Sequence, residues 1–413
     1  MKRISSYAWT LIAILWVVAM LNYLDRLLIT SMREPIVASI PMTDAQFGLL
    51  TSVFLWVYGI FSPLGGFIAD RYSRKWVIIF SVFIWSSITL WTGYVTSFEE
   101  MLAARAIMGI SEACYIPAAL ALITDYHRGP TRSLATGVHI SGLYAGMALG
   151  GLGGYIAEIW DWRSGFHIFG LFGILYSIIL IFFIKENKEQ NNLKVETDNK
   201  VEQEGSINFL NSLKALFNTY SFYILLFYNG IIGMAFWLIN GWLPTFLREQ
   251  FDLSLGEAGL SATGYIQIAS FIGVIIGGYI ADRWSKINKR GRLYLPIIGF
   301  MFGAPFLYLM GSTAAMGFAI ICMIIFGLSR GFHDSNLMPI LCQVIDVRYR
   351  ATGYGFLNFF STIIGGLTIY IGGILRDGNV NLSLVFQIAA ISLFVFTLLL
   401  FFVRIKQYCP IKF

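Results

Sequence analysis

The stretch GGFIADRYSRK, Gly65 to Lys75, returns 212 residues later as GGYIADRWSK, Gly277 to Lys286. A second echo follows at similar spacing, Ala135-Thr136-Gly137 against Ala351-Thr352-Gly353. Since 212 is about half of the 413 residues, the chain reads as two copies of one unit. Each copy of the longer motif closes a long apolar run, so the character of these runs decides what the unit is.

The residues AVILMFWYC make up 57% of the chain and charged residues only 13%, with a mean hydropathy of +0.70. A water-soluble core cannot hide that much apolar surface, whereas a bilayer can. Twelve apolar stretches approach the roughly 20 residues a helix needs to cross about 30 Å of hydrocarbon. They fall near 8–32, 46–69, 76–95, 101–124, 134–157, 166–184, 218–240, 256–281, 293–312, 315–341, 352–375 and 383–403. The first run continues to Met32 without a small-residue cleavage site, so it is expected to remain as a span. The runs are unbroken, which excludes the alternation of a membrane β-barrel. The expected fold is therefore an all-α polytopic membrane protein, twelve transmembrane helices in two pseudo-symmetric six-helix bundles, 1–185 and 208–413. Between them, 186–207 has no aromatic residue and is full of Lys, Glu, Asn and Gln, which cannot support a packed core, so it is expected to be a flexible cytoplasmic linker.

Of the 29 Lys and Arg residues, 22 fall in the termini and even-numbered loops. Three lie inside spans, and only Arg33, Arg163, Arg248 and Arg376 lie in odd-numbered loops. Positive charge collects on the cytoplasmic side, which places both termini there, as in a multi-pass protein of a bacterial-type inner (plasma) membrane. The same distribution explains the net charge of +6 without nucleic acid as a partner. Cys114, Cys322, Cys342 and Cys409 have no paired spacing and suggest neither a disulfide framework nor a metal site. No GxxxxGK[ST] loop, zinc motif or nucleophile elbow appears, which argues against an enzyme and against ATP as the energy source. An ion or substrate gradient is what remains, with no cofactor.

GFIADRYSRK, Gly66 to Lys75, resembles the GxxxDRxxRK signature of the major facilitator superfamily, and Gly278, Asp282, Arg283 and Lys286 repeat it in degenerate form. LNYLDR, Leu21 to Arg26, and RAIMGISEACYIPA, Arg105 to Ala118, resemble the superfamily's anion:cation symporter branch, carriers of organic and sugar acids. YGIFSPLGG, Tyr58 to Gly66, resembles the Spinster-like lipid transporters. The superfamily resemblance implies alternating access, with Gly66, Asp70, Arg71, Arg74, Asp282 and Arg283 latching and releasing the cytoplasmic ends of the halves. Residues 146–154, rich in Gly, and Gly365-Gly366 fit close, mobile helix contacts.

Charge inside a span costs at least about 2.5 to 3.5 kcal/mol, so intramembrane ionisable residues mark function. The candidates are Asp25 and Arg26 in span 1, Arg105 and Glu112 in span 4, His139 in span 5, and Arg330, His333 and Asp334 in span 10. Arg105 and Glu112 stand two turns apart on one face, about 10 Å along the axis, while Asp25 and Arg26 diverge by about 100°. The resemblance implies that Arg26 holds the substrate's acidic group and that Asp25 and Glu112 carry protons, with Arg105 as their partner. Arg330, His333 and Asp334 share a face at i, i+3 and i+4, a possible second polar cluster for substrate or for structural pairing. His139 reads as a packed residue. Tyr23, Tyr58, Tyr115 and Asn358 are expected in the substrate pocket, with Asn229, Trp237, Asn240, Tyr265 and Gln267 as further polar or aromatic lining.

The resulting expectation is a monomeric proton-coupled symporter of a small organic anion, most simply a sugar acid such as an aldonate, uronate or sialate. A Spinster-like lysophospholipid transporter is the alternative, and a membrane sensor that kept the fold is a third.

Overall fold

The computed structural model of the protein describes residues 6–127, 132–185, 209–345 and 350–405. Among them are 12 helices long and apolar enough to cross a membrane. They run Ser6–Ser39, Asp44–Gly65, Arg74–Thr92, Phe98–Ile123, Ala135–Ile159, Trp162–Phe183, Tyr220–Phe251, Leu255–Ile287, Gly291–Met310, Met316–Val344, Thr352–Asp377 and Leu382–Phe402, here spans 1 to 12. Every expected span is present. Span 7 runs well past the expected residue 240, so that Arg248 sits in its last helical turn instead of a loop. Hydropathy marks where the hydrocarbon ends, whereas the helix continues for as long as its own hydrogen bonds hold. The expected linker lies outside the described residues.

Local chemistry repeats with the duplication. Thr43 and Gln46 form a capping box at the start of span 2, and Ser254 and Glu257 form its counterpart at the start of span 8. In each, the hydroxyl and the carboxamide or carboxylate satisfy two backbone N–H groups that the first turn leaves without a partner. Spans 1, 4 and 5 are broken where function is expected. Span 1 passes through a 3-10 turn at Ile29–Met32, span 4 is interrupted at Cys114, and span 5 is interrupted at Gly150 and Gly151.

Packing repeats as well. In the first half span 1 packs on 5, 2 on 4 and 3 on 6; in the second, 7 packs on 11, 8 on 10 and 9 on 12. The halves meet through two equivalent pairs, span 2 with span 11 and span 5 with span 8. Outward-facing Phe172, Phe182, Ile275, Phe302, Ile388 and Ile391 are all exposed. An apolar belt of this extent is at rest only in lipid.

The two ends of the bundle differ. At the odd-loop end the halves touch backbone to backbone: a Cβ added at Gly151 would lie 2.4 Å from Gly259, one at Gly154 2.3 Å from the Leu255 carbonyl, and one at Gly373 2.3 Å from that of Asp44. Carboxylates at the ends of spans 11 and 5 seal the contact. Asp377 accepts the backbone N–H of Asp44 and Ala45, at 2.7 and 2.9 Å, and Glu158 accepts that of Gly256 at 3.0 Å. Each thus caps a helix of the opposite half, where the N-terminal dipole favours negative charge. Arg376 adds Asp44, at 2.5 Å, and Glu249, while Arg33 also pairs with Asp44.

Toward the even-loop end, a methyl placed on Gly137 of span 5 or Gly355 of span 11 would have nothing within 4 Å, and Tyr354 is 45% exposed. The described residues are closed at the odd-loop end and open toward the other.

Candidate functional site

Span 1 supplies Asn22 and Arg26, four residues apart and so on one face, and both turn toward span 4. Arg26 Nε donates to Glu112 Oε2 at 2.6 Å, and Asn22 Nδ2 donates to the same oxygen at 2.9 Å. The pair is enclosed, with 2% and 0% of the two side chains exposed. Arg26 Nη2, Glu112 Oε1 and Asn22 Oδ1 are buried without a partner among the described residues. A donor and two acceptors therefore stand unsatisfied around one ion pair, and buried polar atoms in that condition are costly unless a ligand, water or proton answers them.

The guanidinium lies against three aromatic rings, 4.4 Å from the centroid of Tyr58, 4.5 Å from Tyr23 and 5.1 Å from Phe54. Such rings restrict the guanidinium plane and still leave its edge available for hydrogen bonding.

Asp25 diverges from Arg26 as the 100° step requires. Its Oδ2 accepts from Thr89 of span 3 at 3.3 Å, and Oδ1 is buried without a partner among the described residues. Arg105 is held by main-chain oxygens. It donates to the carbonyls of Arg26 at 3.2 Å, Leu50 at 3.4 Å and Asp25 at 3.5 Å, so it braces the backbone of spans 1 and 2. No hydrogen bond joins it to either carboxylate; the cation on Glu112 is Arg26. Asn22 is a residue that sequence reasoning misses, although its i, i+4 relation to Arg26 within NYLDR is the signal that finds it.

The second half has its own cluster. Arg330 Nε stands 3.4 Å from Asp334 Oδ2, and Arg330 Nη1 donates to Gln267 Oε1 at 3.3 Å. Gln267 in turn donates to Asn240 at 3.2 Å, and the Arg330 guanidinium sits 3.7 Å over the ring of Phe236. Tyr144, from span 5 of the first half, donates to Asp334 Oδ2 at 2.9 Å and so bridges the halves in mid-bundle. His333 Nδ1 meets the Tyr228 hydroxyl at 3.1 Å and remains 4.0 Å from Asp334.

Other expected residues scatter. Tyr115 is fully buried, gives its hydroxyl to the Leu15 carbonyl at 2.9 Å and packs edge-on against Trp85, so the structure places it in the wall of the first half instead of the pocket. His139 is buried beside that same ring. Asn358 is half-buried on span 11, next to the Leu357 carbonyl that Asn229 holds at 2.8 Å. Trp237 packs on Gly365, and Tyr265 is exposed.

At the signature loops, the side chains of Gly66, Asp70 and Arg71 lie outside the described residues. Arg74 pairs with Asp125 at the end of span 4, and Lys75 reaches the Ile181 carbonyl at 2.7 Å. Asp282 accepts from Arg292 at 2.8 Å, while Arg283 lies 4.8 Å from the ring centroid of Tyr279. These contacts all remain within one half. Among the described residues no group of His, Cys, Asp and Glu has the arrangement of a metal site.

A buried arginine–carboxylate pair lies inside the first of two pseudo-symmetric six-span halves, and the family model of the Major Facilitator Superfamily matches residues 15–369. The chain belongs to that superfamily. It is 25% identical over 315 residues to protein spinster homolog 1 of Xenopus tropicalis, covering 73% of this chain and 59% of the relative, so it spans little more than half of that protein's length. It is 24% identical over 391 residues to the hexuronate transporter of Bacillus subtilis, covering 92% of this chain and 90% of the relative. A crystal structure of a bacterial homolog to the human lysosomal transporter Spinster, in an inward-facing and unoccupied conformation, superposes with a TM-score of 0.75 at 21% identity, covering 97% of this chain and 96% of that one. That likeness is one of fold.

Proposed function

We propose that the chain is a proton-coupled symporter of an organic anion of the sugar-acid class, working by alternating access as a monomer in a bacterial-type inner membrane with both termini cytoplasmic. The observation that carries this reading is the sealed Arg26–Glu112 pair with Arg26 Nη2 and Glu112 Oε1 unpartnered. Asp25, Arg26, Arg105 and Glu112 sum to zero charge, the state a low-dielectric interior favours. An entering carboxylate engages Arg26, whose planar fork suits it in bidentate fashion. Glu112 then loses its cation in a place where water cannot replace it, and it takes up a proton. Because the anion raises the affinity for the proton, the proton raises the affinity for the anion by the same factor, which is symport.

In this reading the closed odd-loop end faces outward and the open even-loop end faces the cytoplasm. The hexuronate relative, similar over nearly its whole length, supports the substrate class. One observation favours the lipid alternative: an apolar groove of about 720 Å³, lined by Ile68, Trp76, Phe80, Ile84 and Ile107 among others. That groove runs along the outer flank of spans 2, 3 and 4, whereas the charged site lies between spans 1 and 4 on their inner faces, so lipid in the groove does not meet Arg26. A thermal-shift screen of the purified protein with sugar acids and lysophospholipids tests the choice. Stabilisation by sugar acids alone is expected, and stabilisation by lysophospholipid alone overturns it.

A further inference from the structure

We infer that Arg330 is a second anion-binding group, so that the preferred substrate is a polyhydroxy diacid with one carboxylate for each half of the protein. This rests on the sugar-acid reading above and extends it to the far end of the substrate.

Arg330 is 7% exposed inside a membrane span, a costly position that demands a reason. Neutralising Asp334 is a weak one. The Arg330–Asp334 approach of 3.4 Å is long for a charge-assisted bond, which ordinarily measures about 2.7–2.9 Å. Asp334 also has an independent donor, the Tyr144 hydroxyl at 2.9 Å, and is 28% exposed at its side chain. Asp334 can therefore keep a partner and some solvent when Arg330 turns away. The other contact of Arg330, to Gln267 at 3.3 Å, is long too. These bonds use Nε and Nη1, which leaves Nη2 as the nitrogen for a ligand, while the face of the guanidinium is fixed against Phe236 at 3.7 Å.

The placement joins the two arginines through aromatic side chains. Arg26 lies on the ring of Tyr23, and Tyr23 and Phe236 pack on one small cluster of Leu27, Tyr144 and Met147. Tyr23 is within electrostatic reach of both Arg26 and Arg330. One guanidinium from span 1 and one from span 10 thus each rest on an aromatic ring that packs on the same apolar cluster. A monoacid engages one of them. A diacid engages both, and Gln267 with Asn240 supplies amide groups for the hydroxyls nearest the second carboxylate. Because the two arginines belong to different halves, a diacid also ties the halves together when bound.

The matched probes are galactonate and galactarate, which share a carbon chain and differ in whether carbon 6 is an alcohol or a carboxylate. Binding of both to purified wild-type protein is measured by calorimetry at pH 7, together with Arg330→Gln and, as a charge-keeping check on folding, Arg330→Lys. Galactarate is expected to bind wild type at least about tenfold more tightly than galactonate, the contribution of one charge-assisted contact. Arg330→Gln removes that preference and leaves galactonate within about threefold of its wild-type affinity, and Arg330→Lys restores part of the preference. Equal wild-type affinities for the two acids overturn the second subsite while leaving the sugar-acid reading intact. An equal loss of both acids in Arg330→Gln also overturns it. Failure of wild type to bind either acid overturns the sugar-acid reading itself.

Discussion

Arg26 meets Glu112 at 2.6 Å with 2% and 0% of their side chains exposed, whereas Arg330 stands 3.4 Å from Asp334 with 9% and 28% exposed. The two halves descend from one unit, yet they treat an arginine–carboxylate pair differently. In the first half Asn22 reinforces the pair and three aromatic rings surround its cation, so neither partner leaves without a replacement. Removing one member of a buried pair costs roughly 3–5 kcal/mol, which only an incoming anion together with a proton offsets. In the second half Asp334 has Tyr144 in reserve. A tight pair suits coupling, because breaking it forces a protonation; a loose pair suits recognition, because its cation is held by long polar contacts that a ligand can replace.

The largest effect is expected from attacking the tight pair with its charge preserved. Arg26→Lys keeps the cation and loses the fork, and we expect sugar-acid affinity to fall on the order of 100-fold by calorimetry. Retained affinity in that variant shows that the carboxylate binds elsewhere.

The closed and open ends give a second comparison to sharpen. Gly151→Ala drives a methyl to within 2.4 Å of the Gly259 backbone in the other half. Such overpacking costs about 1–3 kcal/mol, so uptake is expected to fall about tenfold as the odd-loop end resists closure. Gly137→Ala meets open space, with nothing within 4 Å. It should leave uptake unchanged and raise thermal stability by up to about 1 kcal/mol, the helix propensity gained. Similar damage from both substitutions contradicts the assignment of ends. Reporter fusions after Lys188 and at the C-terminus should both report cytoplasm, and a periplasmic signal from either reverses the orientation.

The smallest effect is expected at His139, packed beside Tyr115 away from both pairs. His139→Gln should leave the pH profile of uptake within about twofold of wild type. A displaced profile makes His139 part of the proton path.

Span number and the duplication were legible because hydropathy and motif echo are one-dimensional signals. The intramembrane charges were legible for the same reason, since each stands out against an apolar run. Their pairing was not. Arg105 and Glu112 share a face of span 4, but where Arg105 points depends on which carbonyls of spans 1 and 2 pass within 3.2 to 3.5 Å, and helix packing alone sets that. Tyr115 is a similar case. Its place three residues after Glu112 in RAIMGISEACYIPA suggests a pocket, yet beyond the break at Cys114 it lies in the wall, where the Leu15 carbonyl takes its hydroxyl. Tyr144 and Asp334 lie 190 residues apart in different halves, and only the assembled interface brings them together.

The central claim is that Glu112 carries the coupled proton, and one paired experiment addresses it directly. Glu112→Gln imitates the protonated carboxyl in size and hydrogen bonding and cannot release a proton. In proteoliposomes of one preparation, galactonate uptake driven by an imposed proton gradient requires the empty carrier to return with this group ionised. Counterflow of labelled against unlabelled galactonate requires only the loaded, protonated carrier. Glu112→Gln is expected to lose gradient-driven accumulation and keep counterflow. Accumulation against the gradient by Glu112→Gln contradicts the account and moves the coupling proton to Asp25.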